Sequence, residues 1–361
     1  MFRIQIQTED GETTSFECGL SEDVITAALR QNVTLLSSCR EGGCATCKAQ
    51  CTDGDYEMKN YSSQALPSNE EEDGLVLLCR CYPRGDLDLD VPYTFDRISF
   101  HEVKTEWSGE VIACDKISSN VIRFVVRCTD PETGVALKVP FFAGQYMDIE
   151  IPGTQTRRSF SPATTPSDDG IMEFLIRLQP DGLFSQYLLN DAKISQQVNL
   201  RGPFGVFNLH HNGIRPRYFI AGGTGLSPVL SMVRAMQEEK APHETKLLFG
   251  VTHQHELFYY DELLKLAESM PKLTLGVAVM LPEPDWKGAT GTVVDLLRQH
   301  LTEALAKPDI YLCGPPGMVD ATFKVAEEYG VPKDQIYLEK FTPASEASAD
   351  PEKGGFVLRQ A

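Results

Sequence analysis

Cys39, Cys44, Cys47 and Cys79 constrain this chain more than any other feature. The first three stand in Ser-Ser-Cys-Arg-Glu-Gly-Gly-Cys-Ala-Thr-Cys-Lys, a C-x4-C-x2-C run, and the fourth follows well downstream in Val-Leu-Leu-Cys-Arg. That spacing suits a [2Fe–2S] cluster, in which four thiolates hold two irons. Three ligands can come from one tight loop and the fourth from a separate element. Gly42 and Gly43 fit such a loop, because residues without a Cβ let backbone N–H groups approach the cluster sulfides. A zinc site is the alternative, but zinc favours paired C-x2-C units and only one such pair occurs here. A chain built around this cluster moves single electrons.

The remaining cysteines, Cys18, Cys51, Cys81, Cys114, Cys128 and Cys313, form no regular pairs. They are not a disulfide framework, and a reducing, cytoplasmic setting is expected. The N-terminus opens directly into the alternating pattern Phe2-Arg3-Ile4-Gln5-Ile6, and no apolar run approaches the length of a membrane span. Neither a signal peptide nor a membrane association is expected. The net charge of −18 argues against nucleic acid and against anionic lipid surfaces. Acidity is densest at the start: residues 1–98 carry 18 acidic and 8 basic side chains. A run of Glu70, Glu71, Glu72 and Asp73 precedes Cys79. It reads either as a solvated loop or as a docking face for a basic electron acceptor.

A length of 361 residues predicts two or three domains, and the pattern divides accordingly. Residues 1–98 read as a small β-rich unit with one helix, Val24–Gln31, capped by Ser21-Glu22-Asp23. Residues 99–211 hold several strand-like stretches separated by glycine and proline, which suggests an antiparallel β-barrel. From 212 to 345 strands alternate with helices, a βαβ succession that implies a doubly wound parallel sheet. Residues 346–361 are small, polar and charged, and read as a flexible tail. The fold class is therefore multidomain, α+β followed by α/β.

Four strings carry further chemistry. In Arg157-Arg158-Ser159-Phe160-Ser161-Pro162, Arg158 and Phe160 share one strand face, where they can hold a phosphate and stack on a planar ring. Ser161 ends that strand just before Pro162. Gly182-Leu183-Phe184-Ser185 looks like a helix start whose N–H groups suit a pyrophosphate. A surface strand with a capped helix behind it would explain both strings equally well. Gly222-Gly223-Thr224-Gly225 follows a strand and precedes a helix, as a dinucleotide loop does, although Pro228 stands where G-x-G-x-x-G has its third glycine. Cys313-Gly314-Pro315-Pro316-Gly317-Met318 is a second glycine turn at a later strand end.

Taken in order, these strings resemble the ferredoxin–flavin–NAD reductases of the ferredoxin-NADP⁺ reductase superfamily, over residues 1 to about 345. Asp23–Asn32, the Ser38–Lys48 loop, Pro92-Tyr93-Thr94 and Arg97-Ile98-Ser99-Phe100 are similar to the reductases of soluble small-alkane monooxygenases. The resemblance implies a plant-type [2Fe–2S] ferredoxin (β-grasp) domain, a barrel that binds FAD and a sheet domain that binds NADH. It implies that Cys39, Cys44, Cys47 and Cys79 hold the cluster. Arg158, Ser159, Phe160, Ser161, Gly182 and Ser185 serve FAD, with Ser161 near flavin N5. Gly222, Gly223, Thr224, Gly225, Gly314 and Pro315 serve NADH, Cys313 stands beside the nicotinamide, and Ser161, Cys313 and Glu339 are the expected catalytic residues. Phe160 replaces the tyrosine that many relatives carry. Phe341, in Glu339-Lys340-Phe341, is either a shield over the flavin or a plain core aromatic.

Electrons would run from NADH through FAD to the cluster and on to a di-iron hydroxylase acting on methane or another small alkane. A small regulatory protein and a monomeric state complete the expectation. A reductase for a phenol/toluene-type or alkene hydroxylase is the alternative, and a non-enzymatic electron carrier a more distant one. The stretch 251–262 contains Glu256, Asp261 and Glu262 and neither Lys nor Arg, which favours NADH over NADPH.

Overall fold

The computed structural model describes residues 1–340, except 38, 39, 41, 44, 64, 101–105, 211 and 212, together with 356–357. The chain forms two compact units, one of residues 1–104 with 342–361 and the other of residues 105–341.

The first unit opens with a hairpin of β1 (Phe2–Thr8) and β2 (Thr13–Cys18). Alternation turns Ile4 and Ile6 inward, and both are fully buried. Helix α1 (Val24–Arg30) follows, its start fixed by Asp23, whose carboxylate accepts from Thr26 N at 3.0 Å. Then come β3 (Lys48–Asp53), β4 (Tyr56–Met58), α2 (Ser68–Glu72), β5 (Leu75–Leu77), β6 (Cys81–Pro83) and β7 (Leu87–Val91). The main sheet runs β2-β1-β7-β3-β5, with β1 and β7 parallel and the other pairs antiparallel. Val24, Ile25, Ala27 and Ala28 of α1 join its core, which gives the β-grasp arrangement. β4 and β6 form a side ladder to which Phe356–Val357 adds two residues.

The second unit contains two layers of organisation. Strands β8 (Glu106–Lys116), β9 (Val121–Thr129), β10 (Tyr146–Glu150), β11 (Arg157–Phe160), β12 (Ile171–Arg177) and β13 (Gln197–Phe204) pair antiparallel in the order β11-β10-β13-β8-β9-β12. A bridge between Pro162 and Phe174, with Ala163 N donating to Glu173 O at 2.7 Å, joins the two ends into a barrel. Helix α3 (Leu183–Gln186) continues as a π-helical turn, Tyr187–Asp191, and packs Phe184, Tyr187 and Leu188 into the barrel core.

Six parallel strands follow, β14 (Arg217–Gly222), β15 (Thr245–His253), β16 (Leu273–Leu281), β17 (Ala289–Thr290), β18 (Asp309–Gly314) and β19 (Ile336–Lys340). Between them lie α4 (Leu226–Glu238), α5 (Tyr260–Ser269), α6 (Val293–Glu303) and α7 (Pro316–Glu328). The order is β17-β16-β15-β14-β18-β19. Phe219 and Ala221 face one core with α4 and α5, while Tyr218 and Ile220 face a second with α6 and α7. The sheet is therefore doubly wound, and its central strands β14 and β18 are buried along their whole length.

Candidate functional site

Pairing with β10 sets the geometry of β11. Arg157 lies opposite Glu150, Arg158 opposite Ile149, Ser159 opposite Asp148 and Phe160 opposite Met147. Alternation splits these residues between two faces. On one face Arg157 holds Glu150 at 2.7 Å and Ser159 donates to Asp148 at 2.6 Å. On the other, Arg158 meets no carboxylate among the described residues and donates to the Arg157 carbonyl at 2.7 Å. Phe160 shares that face, half-buried, with its ring 4.8 Å from that of Phe184. A guanidinium without a carboxylate beside a half-buried aromatic fits a phosphate joined to a planar ring. Ser159 is not brought together with them.

Gly182 precedes the first residue of α3, where a Cβ would approach Gln179 Cβ at 3.1 Å and Ser185 Oγ at 3.2 Å. The Ser185 hydroxyl accepts from Gln179 N at 2.8 Å, so it closes the turn before α3. Both residues shape this bend, and Ser185 is buried within it.

The first strand of the parallel sheet, β14, lies between β15 and β18. Winding reverses there, and the crevice outside the carboxyl ends of the strands is where such sheets bind ligands. Gly222 ends β14, Gly223–Gly225 form one 3-10 turn, and α4 begins at Leu226. On the neighbouring strand Gly314 ends β18 and Pro315 precedes α7. The two turns touch. A Cβ on Gly225 would stand 2.1 Å from the Cys313 carbonyl oxygen, and one on Gly222 would stand 2.6 Å from Met318 Sδ. A Cβ on Gly314 would lie 2.3 Å from Met318 Cε. Gly223 differs: its φ is +54°, and a Cβ there would meet nothing within 4 Å. Packed glycines thus hold the two turns together, while Gly223 and half-buried Thr224 border open space that suits a diphosphate.

Register aligns Ala221 with Cys313 and Cys313 with Glu339. Burial, with the Glu339 charge second, pushes the Cys313 thiol well above its ordinary range. Cys313 is therefore a neutral thiol at pH 7 and not a nucleophile. Ser161 is buried, and its carbonyl accepts from Ser227 Oγ of α4 at 2.7 Å. Glu173 of β12 lies behind it, bonded by Arg123 Nε at 2.7 Å and by Arg234 of α4 at 3.2 Å. Burial acts to raise this carboxyl, but Arg123, Arg234 and Tyr259 outweigh it and hold it below the usual range. Removing one partner of such a buried charge costs about 3–5 kcal/mol.

In the first unit, antiparallel pairing of Lys48 with Leu77 carries the end of the cysteine loop to the fourth cysteine. Leu78 N donates to the Cys47 carbonyl at 3.0 Å. Cys47 and Cys79 are both buried. Cys39 and Cys44 lie outside the described residues. Gly42 has φ +76°, and a Cβ there would stand 2.9 Å from Tyr61 Cα, so the loop needs glycine at this point. The adjacent acidic run is partly engaged: Glu70 pairs with Lys48, and Tyr61 donates to Glu71 at 2.7 Å. Two of its carboxylates thus brace the loop instead of standing free for a partner.

Three domain families match these regions in sequence. They are a 2Fe-2S iron-sulfur cluster binding domain at residues 7–84, an oxidoreductase FAD-binding domain at 108–209 and an oxidoreductase NAD-binding domain at 219–324. Methane monooxygenase component C of Methylosinus trichosporium is 53% identical over 83% of this chain and 87% of its own. The chain belongs to the ferredoxin–flavin–NAD reductases. The reductase component of propane 2-monooxygenase from Mycolicibacterium goodii is another member, 35% identical over 89% of this chain and 92% of its own. Among solved structures, the Amycolatopsis cytochrome P450 reductase GcoB superposes with a TM-score of 0.80 at 25% identity, covering 94% of this chain and 99% of that one.

As a ferredoxin–flavin–NAD reductase, this chain takes electrons from NADH, by way of FAD and a [2Fe–2S] cluster, to a hydroxylase component. No helix among the described residues is long and apolar enough to cross a membrane. Phe341, expected as either a flavin shield or a core aromatic, lies outside the described residues. The acidic stretch after β15 has a structural task that sequence alone did not reveal. Glu256 accepts from Asn120 Nδ2 of the barrel at 2.8 Å and from His253 N at 3.1 Å. Ser227, Arg234 and Glu173 were also missed by sequence reasoning. The signal available was a polar row at i, i+4 and i+7 on α4, whose other positions are largely apolar.

Proposed function

We propose that this chain is the NADH-dependent reductase of a soluble monooxygenase whose di-iron hydroxylase oxidises methane or a similarly small alkane. The observation that carries the reading is the margin in similarity, 53% to a methane monooxygenase component against 35% to a propane monooxygenase component. The three cofactor sites divide along the chain as residues 1–98, 99–211 and 212–345, followed by a tail at 346–361. Cys39, Cys44, Cys47 and Cys79 hold the cluster. Arg158 binds the FAD diphosphate, Phe160 faces the flavin ring, and Ser161 bonds near N5. Gly182 and Ser185 shape the turn at the pyrophosphate, and Ser159 supports the strand. Gly222, Gly223, Thr224 and Gly225 cradle the NADH diphosphate, with Gly314 and Pro315 closing the crevice. Cys313 and Glu339 form the buried floor beneath the nicotinamide.

When bound, FAD supplies the change from two-electron to one-electron transfer that the donor and the cluster require. The residues of the chain orient the donor and acceptor and exclude water between them. The protein works as a cytoplasmic monomer, and a small regulatory protein is a further partner of the assembly.

Reconstitution with the hydroxylase encoded beside its gene tests the reading: NADH-dependent methane oxidation is expected, and turnover restricted to phenols or alkenes refutes it. In the same assay kcat/KM for NADH is expected to exceed that for NADPH by on the order of 100-fold, because an added 2′-phosphate would meet carboxylates at the end of β15. A preference for NADPH overturns that assignment.

A further inference from the structure

Helix α4 does more than present its first turn to a nucleotide. Three side chains on one of its faces, spaced i, i+4 and i+7, take the backbone carbonyls of the barrel segment that follows β11. Ser227 Oγ donates to Ser161 O at 2.7 Å, Ser231 Oγ to Thr164 O at 2.6 Å, and Arg234 to Ala163 O at 2.9 Å. The Arg234 guanidinium also reaches Glu173 at 3.2 Å, so the far end of the row is held by an ion pair. Ser227 is 2% exposed and lies two residues after Gly225. Its hydroxyl therefore bonds the residue assigned to flavin N5 directly to the helix that begins at the coenzyme turn. Pro162, the next residue, has no N–H and fixes its own φ, so this carbonyl sits in a stiffened bend.

The geometry points to Ser227 as a positioning residue for hydride transfer. Its hydroxyl is committed to the Ser161 carbonyl and acts through that residue. It sets the separation between the coenzyme turn and Ser161, and thereby the distance from nicotinamide C4 to flavin N5. The inference rests on the assignment of Ser161 and Gly223–Gly225 given under the proposed function. With both cofactors bound, the transfer would break the nicotinamide C4–H bond and form the flavin N5–H bond, the electron pair passing with the hydrogen. A misplacement near 1 Å lowers such a rate by about 100-fold.

The test compares wild-type, Ser227→Ala, Ser227→Cys and Ser227→Thr holoenzymes by stopped flow, with NADH and with its 4-deuterated form. Ser227→Ala is expected to lower the limiting rate of flavin bleaching by about 10- to 100-fold. It should raise the deuterium isotope effect and weaken the long-wavelength charge-transfer absorbance, with NADH affinity changed less than threefold. Ser227→Thr keeps the hydroxyl and is expected to restore the rate and the absorbance. Ser227→Cys, close to serine in shape but a weak donor, should fall between and keeps the test open if Ser227→Ala fails to retain flavin. Amide hydrogen exchange at residues 163–165 should quicken in the Ala and Cys variants, independently of turnover. Unchanged rate and isotope effect in Ala and Cys overturn the inference, as does a Thr variant as slow as Ala. Wild-type protein that NADH fails to bleach instead overturns the underlying assignment.

Discussion

Cys79→Ser is expected to abolish electron delivery to the hydroxylase while leaving reduction of a small dye by NADH nearly unchanged. Cys79 is buried beside the end of the cysteine loop, where the Lys48–Leu77 pairing and the Leu78–Cys47 hydrogen bond place it. A serine there offers a hard, poorly ionised oxygen in place of a thiolate. Outer partners of a metal site already cost 10- to 100-fold when lost, so a ligand should cost more than about 100-fold in coupled turnover. The dye needs only the barrel and the parallel sheet, which form a separate unit from the cysteine loop. Dye reduction by the variant should therefore stay within about twofold of wild type, since the cysteine loop contributes no residue to the unit that reduces the dye. Hydrocarbon oxidation, NADH–dye activity and the paramagnetic signal of the dithionite-reduced protein are the three measurements. Coupled turnover at the wild-type rate would remove Cys79 from the electron path.

Gly225→Ala should have the next largest effect, and of a different kind. The new methyl would stand 2.1 Å from the Cys313 carbonyl oxygen, 2.6 Å from its carbon and 3.1 Å from Gly314 N. All three contacts are backbone atoms of a fully buried strand, so no side chain can swing aside. Overpacking of this sort costs about 1–3 kcal/mol or more, and relief requires the two turns to separate. Separation widens the crevice that we assign to the nicotinamide, and kcat for flavin reduction is expected to fall by about 100-fold or more. Gly223→Ala is the contrast. Its methyl meets open space, and the left-handed φ of +54° costs about 1–2 kcal/mol. A methyl facing the diphosphate should raise KM for NADH while kcat stays near wild type. Stopped-flow titration with NADH and thermal unfolding of both variants separate the cases. A Gly225→Ala protein with normal kcat and normal melting would show that the turns are not held as described.

How much of this was legible beforehand depended on whether the information was local. The cysteine spacing, the glycine turns and the capped start of α1 are properties of short strings, and the structure has the cap and both glycine turns at the expected places, while Cys39 and Cys44 lie outside the described residues. The doubly wound sheet followed from strands alternating with helices, because parallel pairing needs long crossovers. Partners distant in sequence were not legible. Nothing near Glu173 announces Arg234, and nothing near Ser161 announces Ser227, since both contacts exist only once α4 lies against the barrel. The acidic run before Cys79 was read by charge alone, as a loop or a docking face. Charge cannot tell that Lys48 and Tyr61 will occupy two of its carboxylates. Helix α3 was foreseen from its glycine start, but its early passage into a π-helical turn reflects packing of Tyr187 and Leu188, which no spacing rule encodes.

The grip of Asn120 on Glu256, with Ser119 N donating to the His255 carbonyl at 3.0 Å, bears on any attempt to redesign this enzyme for a cheaper or more abundant reductant. Swapping Glu256 for arginine, the obvious charge reversal, would strip the side-chain hydrogen bond from the contact between the hairpin bend of the barrel and the loop it steadies. The exposed side chain of His255 on the same loop, which stacks on His253, offers a safer starting point than His253, whose ring caps the turn and lies 3.8 Å from Glu256. A library built there can alter recognition of the adenosine end while the two lobes stay fastened.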